Sequence, residues 1–355
     1  MKSLHVLACM LALTLGAGVS AAASPLDLDY QAIEMKDTKK EGTLVLSDSP
    51  EYVDQTGILA EGTVKGAGRI YYYHVNSTGD TARLVVYAEN KTDKPMEAKI
   101  TKFLQGAPST DYITSGATLS YNEMVSVHQK PVPVTLAPGE RVIIAEEDAG
   151  GLLPDYLYTG LVEVETKQPV HFGTAMLPMS DDETLAAALK AAQPVPVDSH
   201  EMRGTFPMAV HKESVKAWNA DKDGPASLTY GSSDSNDFYS GPDELDGVTR
   251  ENTGNYGTTV YMKVNTKGTS KFHVYFNPLG GVYMGAFKMS QGFLPHYFRT
   301  DDMKYGGHWL GDGTWEDYID AGVWQAGKPL TIEFMSAGAT YLPVRFLFVP
   351  EGVKV

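Results

Sequence analysis

The chain has 355 residues, of which 44 are acidic and 29 are lysine or arginine, and its formal net charge is −15. A polypeptide this negative is repelled by nucleic acid and by an anionic membrane surface, so neither is expected as a partner. The hydrophobic fraction of 43% is sufficient for a folded core. At this length we expect two domains rather than one.

The first 23 residues have the pattern of a secretory signal peptide. Lys2 supplies the positive start, Leu4–Val19 is an apolar run without charge, and small residues follow up to Ala23. Removal of this segment on export places the mature protein outside the cell or in the periplasm. It also removes Cys9, the only cysteine, which excludes disulfide and thiol chemistry. No second run of about 20 apolar residues follows, so no membrane span is predicted.

Residues 24–55 read as a polar N-terminal arm, and the clearest strand signals come after it. Over residues 68–104, two apolar or aromatic runs and a third, alternating run are separated by short polar turns, which indicates a three-stranded antiparallel meander. Thr56–Val64 is predicted as an earlier strand that ends at a turn around Gly66. Short strands with Gly and Pro turns continue, so residues 56–178 are expected to form a β-sandwich domain.

Two short helices are predicted among the strands. The first lies near residues 110–128 and begins at a capping sequence that includes Asp111. The second lies near residues 181–192 and begins with Ser180 as the capping residue. This helix and the Pro-rich stretch after it form a linker over residues 179–200.

Strand and turn patterns resume over residues 201–355, which are expected to form a second sandwich. The predicted fold class is therefore all-β, with two antiparallel β-sandwich domains of immunoglobulin type. Tyr73–Asn76 resembles Met262–Asn265, with a glycine following at similar spacing in both. Two interpretations stay open: a duplicated sandwich, or turns that any two meanders share.

The sequence predicts no catalytic residues. A Gly-x-Ser-x-Gly elbow is absent from the sequence. His200 and Glu201 begin like a zinc-protease helix, but Gly204 stands where the second histidine is required. Spacing alone cannot pair two of the 44 acidic residues across a cleft for glycoside hydrolysis.

The best metal candidate is an acidic turn with the pattern of a calcium loop. Asn219, Asp221 and Asp223 place oxygen atoms at alternate positions ahead of Gly224. The twelfth position of such a loop is Tyr230, which provides no carboxylate. The turn is therefore either a calcium site completed by a ligand from elsewhere in the chain or a polar surface turn.

A cluster of aromatic residues is the candidate ligand-binding region. Three of the four tryptophans lie within a Gly- and Asp-rich stretch near the C-terminus, and flat rings on loops can stack on the faces of sugars. The alternative is that these rings close the open end of the second sandwich. The residues concerned are Trp309, Trp315, Tyr318 and Trp324.

Six segments carry a resemblance to a known family: Gly68–Tyr72, Pro108–Tyr112, Arg203–Phe206, Gly254–Gly257, Asn277–Ala286 and Ala337–Pro343. In these segments the chain resembles secreted bacterial proteins labelled copper amine oxidase N-terminal-like, or stalk-domain, proteins. The resemblance covers their β-rich body, about residues 57–350 here, without the stalk. It implies an exported, envelope-associated architecture with no characterised activity.

An oxidase activity is not implied by this resemblance. The motif that matures the oxidase cofactor requires a threonine where Asn252 stands and an acid where Gly257 stands. The His-x-His pair that holds copper in oxidases is also missing from the sequence.

The sequence favours a secreted or cell-envelope-associated protein without enzymatic activity, which binds a glycan or wall polymer or has a structural role. Its expected partner is an envelope polysaccharide or another envelope protein. The alternative function is a carbohydrate-active hydrolase whose carboxylate pair the sequence does not identify. No cofactor is expected, apart from calcium at the acidic turn.

Overall fold

A computed structural model of the chain describes residues 24–127, 129–146, 150–232, 237–300, 310–311 and 317–355. These residues are mostly in strands, which confirms the predicted all-β class, and they include two α-helices, α1 (Tyr112–Val125) and α2 (Asp182–Ala191). In chain order, the strands are β1 (Gln31–Ala32), β2 (Met35–Ser47), β3 (Tyr52–Val53), β4 (Gly57–Asn76), β5 (Ala82–Glu89), β6 (Met96–Gln105), β7 (Val132–Leu136), β8 (Arg141–Glu146), β9 (Leu157–Pro178), β10 (Arg203–Ser214), β11 (Trp218–Asn219), β12 (Ala226–Tyr230), β13 (Tyr239–Pro242), β14 (Thr249–Asn252), β15 (Thr259–Val264), β16 (Thr266–Lys267), β17 (Lys271–Pro278), β18 (Ala286–Ser290), β19 (Pro295–Arg299), β20 (Ile319–Gln325), β21 (Leu330–Met335) and β22 (Val344–Pro350).

Both helices begin where an aspartate can accept a hydrogen bond from the first turn. Asp111 caps α1, because its Oδ1 accepts from the backbone N–H of Thr114 at 3.1 Å. The cap of α2 is Asp181, which accepts from the N–H of Thr184 at 2.9 Å. The helix therefore begins one residue later than the predicted cap at Ser180.

The first half of the large, 13-stranded sheet is centred on β4 and β9. These two strands pair antiparallel from Gly57 opposite Met176 to Val75 opposite Leu157. β5 and β6 both pair with the other edge of β9, so the predicted three-stranded meander is wrong. Short turns do connect these strands, but β9, which is distant in sequence, lies between β4 and its predicted neighbours.

The predicted turn around Gly66 is an irregularity within β4. The register of β4 against β9 shifts between Val64 and Gly66, and Gly66 has a φ of 87°. A glycine at a positive φ is typical of a β-bulge, which bends a strand without ending it. The chain therefore continues as one strand of 20 residues.

The N-terminal segment is an inner strand of this sheet. β2 lies between β4 and β10, parallel to the first and antiparallel to the second. β10 pairs parallel with β15, which pairs antiparallel with β21. Strands from both sides of residue 200 thus belong to one continuous hydrogen-bonded sheet. This sheet is mixed rather than purely antiparallel.

A second sheet of five strands covers the C-terminal part of the large sheet. Its strand order is β1, β12, β22, β17 and β20. The remaining strands form two separate two-stranded sheets, β11 with β16 and β13 with β14.

The apolar core includes a cluster to which both halves of the chain contribute. Leu46, Tyr71 and Leu161 pack there with Phe206 and Met335. Helix α1 covers this cluster, with Leu119 and Met124 buried in it. None of the described helices is both long and apolar enough to cross a membrane.

Candidate functional site

A cleft of about 210 Å³ opens at one end of the large sheet. It combines two carboxyl groups, three tyrosines and a histidine with apolar surface. This combination makes it the best candidate functional site of the described residues. The cleft is lined by Asp48, Glu51, Tyr73, His200, Met202, Tyr256, Ala339 and Tyr341.

Strand topology explains why residues so far apart in sequence meet here. β2 ends at Ser47, opposite Arg203, where β10 begins, so the segments after β2 and before β10 lie side by side. Tyr73 lies on β4, the other neighbour of β2. Tyr256 precedes β15, and Ala339 follows β21, the strand that pairs with β15. The cleft is therefore built from the ends of adjacent strands.

The backbone of these segments is unusual. Three residues other than glycine have positive φ angles here: Glu201 at 55°, Asn255 at 47° and Ala339 at 59°. Such conformations are uncommon for residues with a Cβ atom, and they concentrate at binding and catalytic sites. The local backbone therefore points to a functional constraint at the same place as the cleft.

Asp198 fixes the loop that carries the two cleft carboxyl groups. Its Oδ1 accepts from the Ser49 hydroxyl at 2.8 Å and from the His200 N–H at 2.9 Å, and its Oδ2 accepts from the Glu51 N–H at 2.8 Å. Although partial burial acts in the opposite direction, these hydrogen bonds hold the pKa of Asp198 below its usual value. Asp198 is therefore an ionised clamp between the loops at Glu51 and His200.

Asp48 and Glu51 behave in the opposite way. Burial raises the pKa of the Asp48 carboxyl well above its usual value, and the negative charges of Glu51 and Asp198 raise it further. Burial and the charge of Asp198 also raise the pKa of Glu51. The Oδ1 atom of Asp48 is buried and has no hydrogen-bond partner among the described residues. The cleft thus contains an acid that keeps its proton to a higher pH than an ordinary aspartate does.

Two of the cleft tyrosines are held by hydrogen bonds of their hydroxyl groups, and the third is exposed to solvent. The Tyr256 hydroxyl donates to the Thr340 carbonyl at 2.8 Å, and the Tyr73 hydroxyl donates to the Tyr112 carbonyl at 3.1 Å. Burial raises the pKa of both hydroxyls, so they stay protonated as donors. Tyr341, in contrast, is 59% exposed at the mouth of the cleft, where its ring is available to a ligand.

The predicted calcium residues use their oxygen atoms within the protein. The Asp221 carboxylate accepts from the backbone N–H groups of Thr269 and Ser270, each at 2.9 Å. The Asn219 Oδ1 accepts from the Asp221 N–H at 3.1 Å, and the Asp223 Oδ2 accepts from the Asn219 N–H at 2.7 Å. Over the ranges that the structure describes, no group of three or more metal-ligating side chains occurs.

The predicted aromatic site is described only in part. Trp309 and Trp315 lie outside the described residues. Trp324 is 7% exposed, packs in the core of the second half, and donates from Nε1 to the Ala321 carbonyl at 3.0 Å. Tyr318 is 39% exposed and contacts Tyr275 edge to face. Of the two described rings, only that of Tyr318 is available at the surface.

Sequence reasoning did not find the cleft, although it singled out parts of its wall. Gly254–Gly257 and Ala337–Pro343 carry the family resemblance, and His200 belongs to the segment that begins like a zinc-protease helix. The pairing of Asp48 with Glu51 has no spacing signature, because their environment depends on Asp198. A local signal is present in Gly254–Gly257, where two glycines flank an asparagine and a tyrosine.

The comparisons with known proteins leave the family open. No protein-family model and no curated protein matches the chain. Among solved structures, the chain is similar to the PBSX exported protein XepA, with 13% identity and a TM-score of 0.17, over 83% of this chain and 86% of that one. A vicilin from tomato has 9% identity and a TM-score of 0.11, over 87% of this chain and 86% of that one.

Proposed function

We propose that this is an exported protein that binds a saccharide in the cleft between Asp48, Glu51 and Tyr341. The observation that carries the proposal is a single cleft that joins carboxyl groups to an exposed tyrosine ring. Sugars present hydroxyl groups around their edge and apolar C–H faces, so a site for them needs hydrogen-bonding groups beside an aromatic surface.

Each part of the cleft fits one part of such a ligand. Asp48 and Glu51 line the cleft, and their carboxyl groups can accept hydrogen bonds from sugar hydroxyls. The exposed ring of Tyr341 provides a face for stacking. The volume of about 210 Å³ is below the ~300–1,000 Å³ of sites for drug-sized ligands, so the cleft suits one sugar ring rather than a longer segment.

Retention of the mature protein on envelope polysaccharides, measured by affinity electrophoresis, tests this function. We expect Tyr341→Ala to weaken retention about tenfold through loss of ring stacking. Tyr297→Ala is the matched control, because Tyr297 is also exposed, at 44%, but lies on β19 at an edge of the large sheet. Equal retention of the wild type and Tyr341→Ala would contradict this site.

A second variant separates the cleft from the aromatic region predicted in the sequence. If Trp309→Ala with Trp315→Ala abolishes retention and Tyr341→Ala does not, saccharide binding belongs to the tryptophan region. Loss of retention only in Tyr341→Ala assigns the binding to the cleft. Absence of retention of the wild type on every polysaccharide would remove the function itself.

A carbohydrate-active hydrolase is the second candidate, and one observation favours it. The pKa of Asp48 is raised while that of neighbouring Asp198 is lowered, and a protonated acid beside an ionised carboxylate is the arrangement that glycosidases use. Asp48 would donate the proton to the leaving oxygen. Turnover of a glycan that Asp48→Asn abolishes, with binding kept, would favour this function over simple binding.

The wider architecture belongs to the same proposal. We infer export from the signal-peptide pattern of residues 1–23, which lie outside the described residues. Two sandwiches of immunoglobulin type over residues 56–178 and 201–355, joined at 179–200, stay a prediction. So does the resemblance to copper amine oxidase N-terminal-like proteins, and with it a location in the cell envelope.

A further inference from the structure

The protein pairs its buried carboxylates with cations. Four acidic residues of the described chain are buried, and each forms an ion pair with lysine or arginine at 3.0 Å or less. This is the expected arrangement, because an unpaired charge in a region of low dielectric is strongly unfavourable. The pairs are Glu61 with Lys91, Glu123 with Arg69, Asp237 with Lys212, and Asp243 with Arg203.

The cleft departs from this rule. Asp48 and Glu51 are both partly buried, yet neither forms an ion pair with any lysine or arginine that the structure describes. No lysine or arginine is among the eight residues that line the cleft. The histidine of the lining, His200, is 72% exposed, and its Nδ1 atom lies 4.0 Å from an oxygen of Asp198.

We infer that the cleft takes a sugar with a free primary ammonium group, a hexosamine that is not N-acetylated, and that the ammonium pairs with Asp48 and Glu51. The inference rests on the saccharide function proposed above and names its ligand class. An ammonium group has three donors, which suits a cleft that two carboxyl groups, those of Asp48 and Glu51, line together. An acetamido group has one N–H and no charge, so it leaves the two acids unpaired.

Binding of an ammonium group has a proton signature that binding of a neutral sugar lacks. A cation beside Asp48 favours the ionised carboxylate, so the complex releases a proton that the free cleft holds. A neutral sugar brings no charge that would favour ionisation of Asp48. The number of protons released per ligand therefore reports the ion pair independently of affinity.

The test is calorimetric titration of the mature protein with three tetrasaccharides: β-1,4-linked glucosamine, its fully N-acetylated form, and β-1,4-linked glucose. Repetition in buffers of different ionisation enthalpy gives the proton release. We expect the glucosamine tetramer to bind about tenfold more tightly than the other two, with release of a proton. Asp48→Asn and Glu51→Gln should each reduce this preference, whereas Asp93→Asn, an exposed acid in the turn after β5, should leave it unchanged.

The outcomes separate this inference from the proposed function. Equal affinity for glucosamine and N-acetylglucosamine tetramers, or binding without proton release, overturns the inference and keeps a saccharide site. If the protein binds none of the three tetrasaccharides and no other glycan, both the inference and the proposed function are overturned. Equal binding of n-pentylamine also overturns the inference, since it would show a cation site without sugar recognition. Folding of each variant is checked by thermal unfolding, and the two acid variants support each other if one is unstable.

Discussion

The Nδ1 atom of His74 lies 2.8 Å from the carbonyl oxygen of Pro50, in the loop that carries Asp48 and Glu51. A carbonyl oxygen only accepts, so Nδ1 carries the proton and Nε2 accepts from the Ser47 hydroxyl at 2.6 Å. His74 and Ser47 are both fully buried. The neutral imidazole therefore holds the cleft loop onto the sheet from below.

This contact predicts a loss of stability in acid. Burial lowers the pKa of His74 from 6.5 to about 4, so the unfolded chain takes up a proton before the folded protein does. The contribution of His74 to stability is complete above pH 6.5 and is lost as the pH falls through about 4, by about 3 kcal/mol in full. Urea unfolding between pH 7 and pH 4 measures it.

His74→Gln provides the comparison for this prediction. The variant should be less stable at pH 7, by about 1–3 kcal/mol, because the buried hydrogen bonds are disturbed. It should then lose less stability than the wild type on acidification. His200→Gln, at an exposed site, should keep the wild-type pH dependence. Identical pH profiles of His74→Gln and the wild type would contradict the assignment.

The raised pKa of Asp48 predicts a pH dependence of stability opposite in sign to that of His74. Because its pKa is raised in the folded protein, its ionisation disfavours folding once the pH exceeds about 3.9, the value in an unfolded chain. Asp48→Asn keeps the shape of the protonated acid, so it should gain about 1 kcal/mol over the wild type between pH 3 and pH 7. The difference in unfolding free energy at the two pH values tests this.

The control for Asp48→Asn is the same change at Asp198, whose pKa is lowered. Asp198→Asn should lose stability relative to the wild type as the pH rises from 3 to 7, because the ionised form accepts the loop hydrogen bonds. A parallel response of the two variants would show that the cleft does not separate the acids electrostatically.

The sequence predicted local features and missed the long-range ones. The helix start near Asp111 and the short turns between the strands of residues 68–104 depend on neighbouring residues, and the structure has α1 beginning after Asp111 and β4 ending at Asn76. The position of β9 between β4 and β5 depends on strands about 100 residues apart, and no local pattern specifies such a pairing. The cleft was missed for the same reason, since it joins Asp48 to Tyr341.

Helix α1 also links the two halves, through Gly116. A Cβ atom added to Gly116 would overlap the carbonyl oxygen of Gly338 and lie 2.8 Å from its nitrogen, next to the cleft residue Ala339. In an exposed helix, Gly→Ala stabilises by about 1 kcal/mol. Here we expect Gly116→Ala to destabilise by about 1–3 kcal/mol, because neither backbone can retreat freely.

The expected change in stability is opposite in sign to that of Gly→Ala in an exposed helix, so urea unfolding checks this prediction directly. Asn122→Ala on the same helix serves as the control, since Asn122 is only partly buried and should gain or lose no more than about 0.5 kcal/mol. A stabilised Gly116→Ala variant would show that α1 does not pack tightly on the loop at Gly338.

Arg69 predicts a large loss of stability at the junction of the halves. Its Nη2 lies 2.8 Å from Glu123 and 2.6 Å from Glu163, and its Nη1 donates to the Gly257 carbonyl at 2.8 Å. Arg69→Met leaves the buried carboxylate of Glu123 with only Lys102, at 3.6 Å. We expect a loss of about 3–5 kcal/mol in urea unfolding.

An exposed ion pair of similar length is the control for Arg69. Lys263 lies 3.0 Å from Glu213, with the two side chains 47% and 33% exposed. Lys263→Met should change stability by less than about 1 kcal/mol, because solvent screens the pair. Similar losses in the two variants would mean that burial does not set the importance of Arg69.

The last prediction concerns Asp221, for which calcium and hydrogen bonding give different results. Hydrogen bonds from Ser270 and Thr269 lower the pKa of Asp221 from 3.8 to about 2, so the ionised form stabilises the turn, and this stability is lost as the pH falls from 3.8 to about 2. If these bonds are its role, Asp221→Ala lowers the melting temperature equally in EDTA and in calcium, and Lys222→Ala does not. A calcium-dependent rise in the melting temperature of the wild type that Asp221→Ala abolishes would instead establish the metal site.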